Sequence, residues 1–507
     1  MFKKVIKNTS LMSSGVLTSR ILGYIRDIIL AYFFGASAVL EAFLVAFRLP
    51  NLFRSIFAEG FSDSVATPVL SEYHDDKSRL FELGNHVFSL FWVVLSVFTV
   101  LGVIFSRQLV GLIAFGWHAD PVRFELAVSF TRITFVYLLM IGVSSNITSI
   151  LYVRRLFFVP AFNPVFLNVT FIPGVIFFTK YFPTYILVFC VLVAGLLEVI
   201  FPLIFLKREG FFFKFDIKAA LRDSQILRMF KLFLPRVWSS INYQLSVFVD
   251  TILSSWIAVV GTGGVAALYY ANRFIQLPFA LVALSLAQVV VVDFSIYHKD
   301  GKIEEFKKLF IFSFQSVLLL IIPVSMLYVF LSRAIIDVFY CRGAFGPDLI
   351  VPTADFLLYC SLGLTLACLN KLMTTCFYAL KDTATPAKAT TVTLLVNTAA
   401  SIALMFPLKV GGIGLGTSIA GLVNFVILYK ALVKQVGSFD WQDTREQLFK
   451  ILSLSLIMAL AAEVVWFYLP YNRYVRLSAA LLSALVIFIA AGRLWNLKPL
   501  DRLWKRD

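Results

Sequence analysis

Residues 309–331 read LFIFSFQSVLLLIIPVSMLYVFL, a run with no charged side chain. About 20 apolar residues in helical form cross the roughly 30 Å hydrocarbon layer of a bilayer, so this run reads as a membrane-crossing helix. The rest of the chain repeats the pattern. Runs of comparable length, separated by polar breaks, lie near 9–34, 38–58, 86–106, 126–152, 157–179, 184–206, 232–258, 265–292, 353–380, 387–407, 411–429, 449–469 and 474–492, which makes fourteen in all. The composition agrees: of 507 residues 60% are hydrophobic and 15% charged, with 53 Phe and a mean hydropathy of +0.87. Soluble domains sit near half apolar and a quarter charged, so a soluble enzyme is excluded. An outer-membrane barrel is excluded too, because its strands alternate over about ten residues. The expected fold is an all-α polytopic membrane protein of about 14 transmembrane helices.

The formal charge of +16 reads as orientation, and no nucleic-acid partner is expected from it, because basic residues collect in the cytoplasmic loops of membrane proteins. With the N-terminus placed in the cytoplasm, 29 of the 45 Lys+Arg fall in inside segments and 8 outside. That asymmetry predicts an even number of helices with both termini cytoplasmic. The start, MFKKVIKNTS, enters the first hydrophobic run with no small-residue cleavage site and reads as a retained first helix. The five cysteines show no CxxC spacing, and the four histidines match no metal spacing. Neither a Walker A loop nor GxSxG occurs.

The halves echo each other. FLVAFR ending at Arg48 recurs as LYYANR ending at Arg273, an offset of about 225 residues, and Tyr73-His74-Asp75 has its counterpart in Tyr297-His298-Lys299-Asp300. Six spans lie between the copies, as in parallel repeats of six helices. The expected organisation is an N-lobe over 1–206, a cytoplasmic linker over 207–231, a C-lobe over 232–430, and two further helices with a cytoplasmic tail over 431–507. Residues 333–346 read as a short amphipathic helix on the outer face.

Eight basic residues fall inside the spans: Arg20, Arg26, Arg48, Arg54, Arg132, Arg236, Arg273 and Lys371. An Arg at a helix centre costs about 2.5–3.5 kcal/mol on insertion scales, while each Leu, Ile, Phe or Val returns about 0.3–0.6 kcal/mol. Such groups must face water or one another inside the bundle. Internal salt bridges that fix packing account equally well for any single one, and Arg48 and Glu59 can snorkel from span ends. As a set, Arg20, Arg26, Arg54 and the repeat partner Arg273 bring four positive charges against Asp27 and Glu41. A surplus of about two invites a dianion, and planar guanidinium forks bind phosphate oxygens in pairs. The expected ligand is a phosphate or diphosphate, including one carried on a lipid.

The stretches TSRILGYIRDIILAYFFGAS, EAFLVAFRLPNLFRSIFAEG and YYANR resemble the MurJ (MviN) family of lipid II flippases of bacterial peptidoglycan synthesis, within the multidrug/oligosaccharidyl-lipid/polysaccharide exporter superfamily. The resemblance covers nearly the whole chain. It implies a two-lobed inner-membrane carrier with a central cationic cavity, working by alternating access on lipid II, with membrane lipid and the cell-wall synthesis machinery as partners. It places the family's essential arginines on Arg20, Arg26, Arg54 and Arg273 and its paired acids on Asp27 and Glu41, with Ser19 and Asn51 beside them. The acid at 41 is usually Asp in the family, and Gln276 stands where an acidic residue is often found. Helices 13 and 14 would form a groove for the undecaprenyl tail. Some members bind Na+, and by position its ligands match Asp250, Asn397, Ser401, Ile413 and Thr417; Ser401 replaces an Asp, so either a weaker Na+ site or no cofactor is expected. A flippase for another polyprenyl-diphosphate-linked glycan, and a membrane-embedded enzyme acting on the same lipid, are the alternatives. The enzyme would want carboxylates or His gathered in a large outer loop, and no outer loop exceeds about 20 residues in this reading.

Overall fold

The structure is a computed structural model. It describes residues 2–495 and 497, with side chains described for all of these except 2–17, 57–59, 63–64 and 234–243. Glu59 and Arg236 therefore lie outside the described side chains, as does most of the expected C-terminal tail. The described residues are helical or irregular, with no strand among them.

The long helical tracts follow the expected order: α1 (Phe2–Phe34), α2 (Ala38–Arg54), α3 (Lys77–Ile104), α4 (Pro121–Val153), α5 (Val165–Phe178), α6 (Ile186–Arg208), α7 (Ser224–Ser254), α8 (Gly264–Pro278), α9 (Ile303–Tyr340), α10 (Ile350–Ala379), α11 (Ala384–Leu408), α12 (Val410–Val436), α13 (Gln442–Tyr468) and α14 (Arg473–Leu494). Several begin at side chains suited to cap them. Ser37 accepts from the Leu40 N–H, Asp76 from Arg79, Asp120 from Arg123 and Asn472 from Val475, which satisfies backbone donors that have no partner within the helix. Pro121 follows its cap at the first turn of α4, where the missing N–H costs nothing.

Among the described residues eleven helices are long and apolar enough to cross a membrane. The tracts α1, α2 and α7 are not among them. α2 is 17 residues long, and α1 and α7 run through residues whose side chains are not described. For those three, membrane crossing rests on the sequence reading.

Contacts group the chain into two units: residues up to Trp256 with Arg342–Phe345, and Ile257–Cys341 with the residues from Gly346 on. The sequence reading assigns 232–258 to the second lobe, whereas α7 packs in the first unit, where Gln244 Nε2 donates to Ser55 Oγ at 3.0 Å. Inside each unit the fourth helix of the repeat is the hub. In the first, α4 packs on α2, α3 and α6; in the second, α10 packs on α8, α9 and α12. The repeat extends to a defect. Pro50 lies in α2 and Pro278 ends α8, and each helix then passes into a π-helical stretch, Ser55–Ala66 and Phe279–Leu284. Proline cannot donate the α-helical bond, so a change of hydrogen-bond register near it is expected.

The first core joins Ile56, Phe61 and Val65 of the π stretch to Leu80, Leu83, Ile147, Ile150 and Leu206. Gly102 and Gly142 bring α3 and α4 together: an added Cβ would enter the Phe135 ring at the first and Leu95 at the second. The second core centres on Phe306, Phe310, Met373, Cys376, Phe377 and Leu454, where α13 packs on α9.

The expected short helix over 333–346 does not form separately. Residues 333–340 complete the 38-residue α9, and the chain turns only at Cys341. Past it, Ala344 N–H donates to Tyr32 O at 2.8 Å within the first unit. Gly35 and Gly343 both take positive φ here, 53° and 59°, and a Cβ on either would strike backbone.

The segment between α6 and α7 is tied to α3. Asn85 Nδ2 donates to Phe212 O at 3.1 Å, Asn85 Oδ1 accepts from Lys214 N at 2.9 Å, and Ser89 Oγ accepts from Asp216 N at 2.9 Å. Asp223, the N-cap of α7, lies 2.8 Å from His86 Nδ1 and 3.0 Å from Arg79 Nη2. Burial alone would raise its carboxyl, but the Gln225 N–H, His86 and Arg79 outweigh burial and hold it below the usual carboxylate range. Its stabilising contribution is thus fully present above the unfolded value of about 3.9 and is lost as pH falls through the lower folded value. The wild type should lose stability more steeply than Asp223→Asn below about pH 4. Melting curves of both proteins in detergent across acidic pH check this.

Candidate functional site

In the first unit the expected residues sit on α1 and α2. Arg20 is exposed on α1. α5 packs against that helix, and its Asn168 Nδ2 fixes Ser19 by donating to the Ser19 carbonyl at 3.0 Å. Arg26 donates through Nε and Nη2 to Oδ1 of Asp27 at 3.1 and 3.0 Å, and its guanidinium lies 5.8 Å from the Phe171 ring centroid. Asp27 is fully buried, while 11% of the Arg26 side chain stays accessible.

Glu41 is also buried, and its partner is one the sequence reading placed in an outer loop. Arg123 Nε donates to Glu41 Oε2 at 3.0 Å and the same guanidinium holds Asp120, the cap of α4. Burial raises the Asp120 carboxyl, but the Arg123 N–H and guanidinium together keep it below its usual range. Farther along α2, Arg54 Nε donates to Asn51 Oδ1 at 3.0 Å, immediately before the π stretch. Asn51 thereby orients the guanidinium beside it. Arg54 acts electrostatically on Glu198 and Tyr137, and Tyr137 OH donates to Glu198 Oε2 at 3.0 Å.

In the second unit, Arg273 Nη2 donates to Tyr269 OH one turn earlier at 3.1 Å, and its guanidinium lies 5.1 Å from that ring. Tyrosine and arginine thus stiffen each other by a hydrogen bond and a cation–π contact. The helix enters its π stretch six residues later.

Four of the five oxygen-bearing residues matched to an Na+ site converge on α11 and α12. Ser401 Oγ donates to Asn397 Oδ1 at 3.0 Å and lies 3.4 Å from Ile413 O; Thr417 Oγ1 lies 3.1 Å from Ile413 O and 3.4 Å from Asn397 Oδ1. The fifth, Asp250, belongs to the first unit. The four are neutral, and their hydroxyl protons already lie on the carbonyl oxygens a cation would need. Among the described residues no group of three or more His, Cys, Asp or Glu gathers as for a metal.

Sequence reasoning missed two residues. Glu198 is the sole charge in its run, TYILVFCVLVAGLLEVIFPLIFL over 184–206, and an isolated carboxylate at such depth is itself a signal. Arg123 carried no such mark, because its partner stands 82 residues away.

Among the described residues, eleven helices of membrane-crossing length and ion pairs with buried carboxylates define a polytopic helical membrane protein. The same fold occurs in a multidrug resistance MATE family transporter of the MOP superfamily, in an inward-facing conformation: TM-score 0.67 at 14% identity, covering 82% of this chain and 94% of that one. The particular family follows from closer matches. The chain belongs to the MurJ family: the profile described as lipid II flippase MurJ matches residues 30–485. A solved lipid II flippase MurJ, in an inward closed conformation, superposes with TM-score 0.80 at 26% identity over 96% of this chain and 99% of that one. Relatives named probable lipid II flippase MurJ include one from Rickettsia prowazekii, 32% identical over 494 residues (94% of this chain, 95% of the relative), and one from Buchnera aphidicola of Acyrthosiphon pisum, 32% identical over 437 residues (85% and 84%).

Proposed function

We propose that the protein is a lipid II flippase of the bacterial inner membrane, moving the lipid-linked peptidoglycan precursor from the cytoplasmic to the outer leaflet with both of its own termini in the cytoplasm. The observation that carries this is the match over residues 30–485 to a family named for that activity. No bond is made or broken. Arg20, Arg26, Arg54 and Arg273 receive the diphosphate, Asn51 orients Arg54, Asp27 and Glu41 hold the arginine-bearing helices in place, and two lobes expose the headgroup alternately. The prenyl tail stays in lipid along α13 and α14, whose outward side chains, Phe467, Leu482 and Val486 among them, are more than 60% exposed. The protein would then supply the outer-leaflet cell-wall synthesis machinery with precursor. Depletion of the protein in growing cells, with a probe for precursor on the outer leaflet, tests this: precursor should accumulate inside while its synthesis continues. Loss of synthesis instead would favour an enzyme acting on the same lipid.

For energy, the reading is that the membrane potential, worth about 2.3 kcal/mol per charge moved through about 100 mV, resets the empty cationic site, and that no Na+ acts at Asn397, Ser401, Ile413 and Thr417. The self-satisfied hydrogen bonds of that cluster support it. Melting temperatures in NaCl and KCl of equal ionic strength should coincide. Stabilisation specific to Na+ and removed by Asn397→Ala would restore an ion to the cycle.

A further inference from the structure

Glu198 has no part in the scheme above. It lies in α6 at 3% exposure, flanked by apolar residues throughout its run. It is held from both ends. Ser144 Oγ donates to its backbone carbonyl at 2.7 Å and is itself held by Asn163 Nδ2 at 2.8 Å, while Tyr137 OH, 1% exposed, donates to its carboxyl. The side chain therefore has little freedom to swing toward solvent. The helices packed on α6 are α4, α5, α2 and the short segment Phe158–Phe162. From α4 the titratable group facing Glu198 is Tyr137; from α2 it is the charged Arg54; α5 and Phe158–Phe162 contain no ionisable residue.

A buried carboxylate with one hydroxyl donor and one nearby guanidinium depends on that guanidinium to stay ionised. Arg54 is also a residue the proposed function assigns to the diphosphate. An anion arriving there draws on the same positive charge and adds a like charge close to Glu198. We propose that Glu198 is a proton-binding site coupled to the anion site through Arg54, so that the carboxyl takes up a proton from solvent as a diphosphate binds and returns it when the diphosphate leaves. In the empty site the positive charge of Arg54 favours ionised Glu198; with an anion on Arg54 that support is spent and the protonated form is favoured. The inference rests on the reading of Arg54 as an anion ligand. By linkage the effect is reciprocal: acid tightens anion binding to the same extent that anion binding raises proton affinity.

The test uses the purified full chain in detergent and, as probe, a diphosphate diester joining a short prenyl chain to a sugar, whose phosphates stay ionised throughout the neutral range. Titration calorimetry in buffers of different ionisation heat gives the protons taken up per anion bound. The wild type should approach one proton per anion, with affinity falling by up to about tenfold per pH unit through the window in which Glu198 titrates. Glu198→Gln, which keeps an acceptor for Tyr137, should bind with no uptake and a flat pH profile. Binding without uptake in the wild type, or uptake retained in Glu198→Gln, overturns the proton site and leaves the anion reading standing. No binding at all removes both. Should Glu198→Gln fail to fold, Tyr137→Phe retains the carboxyl but loses its donor. Uptake should then persist and centre at higher pH, and an unmoved centre overturns the proposal.

Discussion

Cells depleted of their own lipid II flippase are expected not to grow on Arg26→Ala or on Arg273→Ala, although both proteins reach the membrane. Hydrogen bonds to a charged group contribute about 1.5–3 kcal/mol each, and a guanidinium offers two to one phosphate. Loss of either arginine therefore removes enough binding to stop a carrier that must gather its substrate from a dilute pool. Arg26 needs a control for folding, because its removal takes from the buried Asp27 the guanidinium that bonds it; Arg26→Ala/Asp27→Asn removes both charges and should fold yet remain inactive. Arg26→Lys keeps the charge without the fork, and weak growth is expected from it. Arg333→Ala, whose 71% exposed side chain lies 4.0 Å from Asp355, should grow normally. Full growth on both Arg26→Ala and Arg273→Ala would eliminate an anion site built on arginine.

Arg123→Ala is expected to be the most destabilising single change to an ion pair in the first unit, by about 3–5 kcal/mol, because it takes from the buried Glu41 the guanidinium that bonds it. The Glu41 side chain is 2% exposed and that of Arg123 16%, so solvent cannot compensate. The same substitution frees Asp120 from the guanidinium that helps to keep it ionised as the α4 cap. Unfolding in detergent measures the loss. Glu41→Gln/Arg123→Met, which removes both charges, should recover most of it, since two apolar or neutral groups of similar size tolerate burial better than one lone charge. Equal losses in the single and double variants would show that Arg123 acts by packing alone.

Helix identity was legible because lipid demands it: uninterrupted apolar runs, backbone bonds closed within each helix, basic residues at the ends. The repeat was read from the six residues ending at Arg48 and the six ending at Arg273, and α4 and α10 each pack on three long helices of their own unit. Partners were less legible. The sequence set Asp27 and Glu41 together against the arginines, and the structure separates them: Asp27 pairs with its neighbour Arg26, and Glu41 with Arg123. Hydropathy reports depth but not which face of one helix meets which face of another. The same limit hid Glu198, whose meaning depends on Tyr137 and Arg54 from two other helices. The end of α9 was misjudged for a different reason: the charged residues of 333–346 suggested a separate surface segment, but a helix can run past the apolar layer when its last turns are held by tertiary contacts. Asp337 and the Cys341 carbonyl accept from Arg473, at 2.8 and 2.9 Å.

The π stretches after Pro50 and Pro278 give the repeated helix a torsional joint. An α turn holds about 3.6 residues and a π turn more, so a switch of one residue between the two registers swivels everything beyond it around the helix axis without breaking the chain's continuity. Arg54 and Arg273 both stand on the upstream side of such a joint. In the function proposed above, each arginine keeps its place on the cargo while the remainder of its own helix winds or unwinds, which separates holding a cargo from moving the scaffold that surrounds it.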